Sequence, residues 1–394
     1  MTNTYICSYA RTPIGSYMGE LKDISASKLG SETIKAVIND SKVGLDEVDE
    51  VIMGNVLSAG IGQAPARQAA IYAGLSNSTK CMTINKVCGS GLKAVMLADQ
   101  AIKSHDANII IAGGMENMSQ APHYIQNSRQ GIRLGGSGLI DSIMHDGLKD
   151  PYSNQLMGNC AEILTSEEQI PRDLQDNYAI ESYKRSNQAA SSGYFKNEII
   201  PIEVKVKKNI KLITSDEEPQ KFNEDKIRKL RPVFIKDGTI TAANASTIND
   251  GAASVLLISE EEMKNRNIKP KVKIIAHSSY AMDPTYFTKA PIFAIKEVVE
   301  KANLSLDDID LFEINEAFSC VPLVAMDTLN ISHNKVNIFG GAVSLGHPIG
   351  ASGTRILVTL INALEIKKKT YGLASLCIGG GEAVALIVKR ESNE

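Results

Sequence analysis

The chain reads as an α/β protein built from two copies of one unit with a long insertion between them, and three observations predict this. The first is a gap-free match between Ile34–Val51 and Ile295–Phe312 at a constant offset of 261, with six of 18 pairs identical, Leu45/Leu306, Asp46/Asp307 and Asp49/Asp310 among them. The second is a later match at an offset of 262, where Ser90-Gly91 and Ser352-Gly353 each open an apolar helix leading to a strand. Ordered self-similarity at one spacing indicates a duplicated unit. The third is that the helices after Cys88 and after Pro348 are apolar nearly all round. Such helices are buried on every side, which predicts a layered core with sheets either side of central helices.

The elements follow in order. Tyr5-Ile6-Cys7 starts a strand. In each copy an amphipathic helix leads through a turn to an apolar strand, Glu50–Met53 in one and Leu311–Ile314 in the other. The helix from Ser90 runs to about Ile102 and is followed by the strand Ile109–Ala112. Its counterpart runs from Ala351 to about Leu364, followed by the strand Gly372–Ile378. Between the copies lie Gly-rich sequence (Gly131, Gly135, Gly136, Gly138), a helix from Pro171 to Ser192 and a charged, β-branched stretch at Ile202–Ile213. The predicted division is an N-terminal α/β half at 1–117, completed by about 248–269, an inserted loop domain at 118–247 for ligand and subunit contacts, and a C-terminal half at 270–394.

Composition removes several function classes. The 394 residues carry 42 basic and 45 acidic side chains, a net charge of −3, so there is no basic footprint for nucleic acid. No apolar run reaches the ~18 residues of a membrane span. Trp is absent. The chain enters a strand straight after Met1-Thr2-Asn3-Thr4 and ends Ser392-Asn393-Glu394, so neither a leader nor a peroxisomal or ER signal is expected. Six scattered cysteines without a C-x-x-C pair are expected to be free thiols in the cytoplasm.

Four motifs sit where such units bring chemistry together. In Asn85-Lys86-Val87-Cys88-Gly89-Ser90-Gly91 a cysteine stands at a helix start. A lone cysteine is most often a small buried hydrophobe. Here the glycines permit close backbone approach, and the positive end of the helix dipole is expected to lower the thiol pKa towards a usable thiolate. In Gly340–Gly353, five glycines and Pro348 surround His347, placing an imidazole for general-base work. A Rossmann reading of these glycines fails, for no strand with G-x-G-x-x-G precedes an acidic residue at the right distance. Cys377-Ile378-Gly379-Gly380-Gly381 ends a strand with backbone N–H groups of the kind an oxyanion needs. Asn315-Glu316-Ala317-Phe318 lies at the end of a strand in the second copy, where Asn and Glu are routine turn residues. In α/β sheets, edges of this kind converge on one site.

Together these motifs, with Arg11–Gly15, Gly113–Glu116, Ala243–Ser246 and Asn249–Ala253, resemble the thiolase family along essentially the whole chain, and within it the biosynthetic acetoacetyl-CoA thiolases. The resemblance implies a thiolase-like, duplicated five-layer αβαβα fold with an inserted loop domain. It implies a ping-pong Claisen condensation of two acetyl-CoA to acetoacetyl-CoA and CoA, and the reverse thiolysis. Cys88 would be the acetylated nucleophile, His347 the acceptor of its proton, and Cys377 the base towards the methyl group of the second acetyl-CoA. One oxyanion hole would combine His347 with a water on Asn315; the other would use the N–H groups of Cys88 and Gly379. Ser246, Met157, Ala317 and Phe318 would meet the CoA arm, and Lys226 its phosphates. Tyr183 with the carbonyls of Ala242, Ala243, Ala245 and Val343 matches a potassium site of one family branch; an inward-packing tyrosine is the alternative. No obligatory cofactor, no nucleic-acid or membrane partner, and a homotetramer of paired dimers are expected. Two departures stand out: Leu156 where many relatives have His, and Glu382 after the three glycines. The alternatives are a degradative 3-ketoacyl-CoA thiolase of broader chain length and an inactive acyl-CoA carrier.

Overall fold

The structure, a computed structural model, describes residues 2–391 apart from 133, 135 and 137. Gly135 and the terminal Ser392-Asn393-Glu394 lie outside the described residues. The N-terminal half contains β1 (Thr4–Arg11), α1 (Ala26–Asp40), β2 (Glu50–Gly54), α2 (Pro65–Ala73), β3 (Lys80–Ile84), α3 (Ser90–Lys103) and β4 (Ile109–Asn117). The middle of the chain contributes α4 (Met157–Glu167), α5 (Arg172–Ser191), the hairpin β5 (Ile202–Val206) and β6 (Asn209–Ile213), and the short α6 (Glu224–Ile227). There follow β7 (Asn249–Ser259), β8 (Val272–Ala281), α7 (Ala290–Lys301), β9 (Leu311–Ile314), α8 (Cys320–Leu329), α9 (Ala342–Leu345), α10 (Ser352–Lys367), β10 (Tyr371–Ile378) and β11 (Glu382–Arg390).

The strands run β3-β2-β4-β7-β1 in one half and β8-β11-β10-β9 in the other. The pairings β2–β3, β2–β4 and β9–β10 are parallel, while the others in this order are antiparallel. The duplication is therefore visible as topology, with β1, β2, β4 and β7 answered by β8, β9, β10 and β11. The two sheets also meet edge to edge, where Tyr5 pairs with Lys273 and Ile6 with Val272, so the ladder is continuous.

Five layers result. Helices α1 and α2 cover one outer face, α7 and α8 the other, and α3 and α10 lie between the sheets against each other. Every residue of α10 from Ser352 to Leu364 is buried, as its all-round apolar sequence requires. Three apolar cores follow: a central one around Leu92, Val95, Ile356 and Leu360, and one under each outer helical layer. Glycine makes the central contact possible. A Cβ on Gly91 would lie 2.7 Å from the Thr354 amide nitrogen, and one on Gly353 only 2.3 Å from that of Leu92. These two glycines are equivalent members of the repeat, so the helix starts approach symmetrically, backbone to backbone.

Candidate active site

The convergence of α3 and α10 places the loops before them side by side. Cys88 lies immediately N-terminal to α3, and His347 five residues before Ser352 opens α10. Both line a cavity of about 340 Å³, with Gly379 from the loop between β10 and β11. The rest of its wall is mostly apolar, including Met118, Met144, Leu148, Phe234 and Phe287. None of these five carries a chemical signature in sequence, since methionine, leucine and phenylalanine here look like ordinary core residues.

His347 is held at both ends of its loop by buried carboxylates. Glu116 accepts from the Gly350 amide at 2.9 Å and from Asn55 Nδ2, Val56 and Leu57. Glu316 accepts from the Val343 amide at 3.0 Å and from Tyr178, Ser182 and Asn337. Glu316 is thus more than a turn residue: it fastens α5 to the histidine loop. Asn249 Oδ1 accepts the His347 amide at 2.9 Å, and Gly346, at φ +105°, leaves room for that asparagine, whose Cγ a Cβ would meet at 2.4 Å.

The tautomer of His347 follows from its partner. Ser352 Oγ donates to the Pro348 carbonyl at 2.9 Å and lies 2.5 Å from His347 Nδ1. Its one proton is committed to the carbonyl, so it accepts from Nδ1–H. The lone pair is then on Nε2, which is buried without a protein partner. Burial, with Arg355 nearby, pushes the imidazole pKa down to about 3, so it is neutral and able to accept a proton.

The cysteines differ from the sequence expectation. Burial pushes the Cys88 thiol up to about 11, against lowering by the N–H groups of Gly379 and of Cys88 itself, which point at the sulfur. The expected lowering of the thiol pKa is therefore corrected: desolvation outweighs the helix start. Cys377, in β10, is 1% exposed and raised further by the same burial and by the neighbouring Cys88 and Cys320. Cys377 and Asn315 are not among the residues lining the cavity. Asn315 is buried with both side-chain atoms free of protein partners.

Ser246, Met157, Ala317 and Phe318 all line the cavity, and Ser246 N–H donates to the Ala317 carbonyl at 2.9 Å. Leu156 lines it too, so the wall is apolar at that point. Lys226, on α6, is exposed and does not line it. Tyr183, Ala243 and Val343 share a small buried cluster, and Ala242 and Ala245 belong to the adjoining turn. Tyr183 stacks on Phe222 at 5.4 Å, as an inward-packing tyrosine would, and its phenol is pushed up to about 12 by burial, then Glu218 and Glu316. Carboxylates beside a cluster that includes Ala243 and Val343 are a setting that a potassium ion held by carbonyls would suit. No cluster of three or more His, Cys, Asp or Glu suited to a metal occurs among the described residues. Nor is any helix among them long and apolar enough to cross a membrane.

Comparison with known proteins agrees with this geometry. Residues 4–261 match the thiolase N-terminal domain and 268–390 the thiolase C-terminal domain. An acetyl-CoA acetyltransferase of Yarrowia lipolytica is 50% identical over 389 residues, covering 99% of this chain and 97% of that protein. A relative from Gibberella zeae, named a cytosolic acetyl-CoA acetyltransferase, is 44% identical over 98% of each chain. Among solved structures, the Acat5 thiolase of Ascaris suum in complex with coenzyme A superposes with a TM-score of 0.94 at 42% identity, covering 99% of this chain and 100% of that one. Human mitochondrial 3-ketoacyl-CoA thiolase gives 0.96 at 38%, covering 99% of each. With both domains matched in order over nearly its whole length, the chain belongs to the thiolase family.

Proposed function

We propose that the chain is an acetyl-CoA C-acetyltransferase, condensing two acetyl-CoA to acetoacetyl-CoA and CoA and catalysing the reverse thiolysis. One observation carries the reading: a thiol, a neutral imidazole with a free Nε2 and a loop whose Gly379 N–H reaches the sulfur line one apolar cavity. Cys88 Sγ attacks the thioester carbonyl while its proton passes to His347 Nε2, and CoA leaves as the thiol. The carbonyl oxygen gains charge, and the N–H groups of Cys88 and Gly379 are the donors for it. Cys377 gives its proton to the departing CoA and, as the thiolate left behind, takes one from the methyl of a second acetyl-CoA; the carbanion attacks the acetyl carbonyl on Cys88, whose sulfur leaves and recovers its proton from His347. The high-lying pKa of Cys377 suits a base strong enough for a carbon acid. Asn315, unpartnered, is available to hold the water that completes the second oxyanion hole with His347.

Ser246, Met157, Ala317 and Phe318 are the proposed contacts of the pantetheine arm, and Lys226 of the phosphates at the exposed end. Potassium, held by Tyr183 and the four carbonyls, would supply a fixed positive charge beside the turn that carries Ser246. The relative from Gibberella supports a cytosolic setting. A homotetramer is proposed, with the half-exposed β3 at the sheet edge suited to pairing copies. Incubation with millimolar acetyl-CoA should yield acetoacetyl-CoA and free CoA; a wild-type protein that makes none is not this enzyme. Comparing C4 with C10 ketoacyl-CoA cleavage separates this reading from the degradative one, and repeating it in potassium and sodium tests the ion. Sedimentation tests the tetramer.

A further inference from the structure

The loop bearing Cys88 is held from within. Lys86 N–H donates to Ser90 Oγ at 2.8 Å, and Gly89 N–H to the Lys86 carbonyl at 3.0 Å. Val87 inside it sits at φ +46°, a left-handed conformation that a β-branched residue adopts only when its surroundings impose it. The facing loop turns through Gly380 and Gly381, at φ +94° and +86°. These loops belong to different halves of the chain, and the proposed chemistry requires the Gly379 amide to stay on the Cys88 sulfur. A hydrogen bond to a thiol is a weak tether for two turns.

A second tie lies beside it. Lys86, two residues before Cys88, forms an ion pair with Glu382, three residues after Gly379. Lys93, on the first turn of α3, is close enough to feel the charges of both. Glu382 is therefore paired with one lysine of the nucleophile half and lies near a second. Glu382 is anchored: it begins β11, paired to Ile378 and Ala281.

We propose that the Lys86–Glu382 ion pair is a clamp across the two halves that positions the Cys88 thiol against the Gly379 amide. Neither side chain touches the reacting atoms; both are positioning residues. The rate consequence rests on the acetyltransferase reading, whereas the clamp itself does not. The side chains are 24% and 36% exposed, so water weakens the pair and its effect is moderate.

The test is charge reversal followed by exchange. Glu382→Lys sets three lysines together and should lower kcat for acetoacetyl-CoA thiolysis about fivefold, with KM little changed. Lys86→Glu should do less, because Lys93 then neutralises part of the repulsion. The double variant Lys86→Glu/Glu382→Lys restores a pair and should recover most of kcat. Hydrogen exchange at the amides of 86–89 and 379–381 should quicken in each single variant and slow again in the double. Singles that match wild type in both readouts, or a double no better than Glu382→Lys, overturn the clamp. Should wild type itself show no turnover, the acetyltransferase reading fails and exchange alone decides the clamp: unchanged exchange in the singles sinks it.

Discussion

Ser352→Ala removes one oxygen and leaves every proposed reacting group in place. In the wild type that oxygen receives the Nδ1 proton of His347 at 2.5 Å and gives its own proton to the Pro348 carbonyl at 2.9 Å. The carbonyl is also reached by the amides of Ala351 and Ser352, each at 2.9 Å, so it remains satisfied in the variant. The loss falls on Nδ1 alone. His347 is only 5% exposed, and a buried donor without a partner costs about 1–3 kcal/mol. Part of the histidine would shift its proton to Nε2, the atom that must accept from Cys88. If the whole cost appears in the transition state, kcat/KM for C4 thiolysis falls about 5- to 150-fold. Steady-state thiolysis with a melting curve on the same sample measures it. A kcat/KM within twofold of wild type, with the fold intact, would mean that Ser352 does not set the tautomer.

Three further outcomes are expected. Alkylation of Cys88 by iodoacetamide should keep accelerating about tenfold per pH unit from neutral pH upwards, since the thiol is raised to about 11 and only its ionised form reacts; a plateau by pH 8 contradicts this. Cys377→Ala should still form acetyl-enzyme from acetyl-CoA but condense more slowly by a factor of about 10²–10⁴, the usual contribution of a positioned base; condensation at the wild-type rate would remove Cys377 from that role. Gly353→Ala should lower the urea midpoint by an amount worth about 1–3 kcal/mol, because its Cβ meets the Leu92 backbone at 2.3 Å and backbone cannot swing aside; an unchanged midpoint would show that α3 and α10 can separate freely.

The layered fold was legible because its signals are local and repeated. The α5 limits predicted from Pro171 to Ser192 fall on the observed caps, and Leu311–Ile314 is the observed β9. The seam from Tyr5 and Ile6 to Val272 and Lys273 was not legible, since two residue pairs between distant strands leave no periodicity. In the site, Cys88, His347 and Gly379 stand out by their glycine-rich settings and do share the cavity. In sequence Ser352 stands out only as a repeat position, although a hydroxyl five residues after a histidine is a findable signal. The Cys88 pKa goes the other way because the burial around it is assembled from distant segments of both halves, whereas the helix start is visible in the neighbouring sequence. That Glu382 faces Lys86 depends on the β10–β11 turn and leaves no trace in the sequence.

The place of β1 has a bearing on synthesis. It is made first, yet its paired neighbours are β7 and β8, residues 249–259 and 272–281. Until some 250 residues have left the ribosome, its backbone donors and acceptors have no strand to meet. The apolar Ile6 and Tyr9, destined for the central core, wait with it. Long-range strand pairing of this sort is slow, and the waiting chain exposes sticky surface. The N-terminal half cannot close as a nascent unit, and the protein's period of greatest exposure to aggregation falls during its own translation.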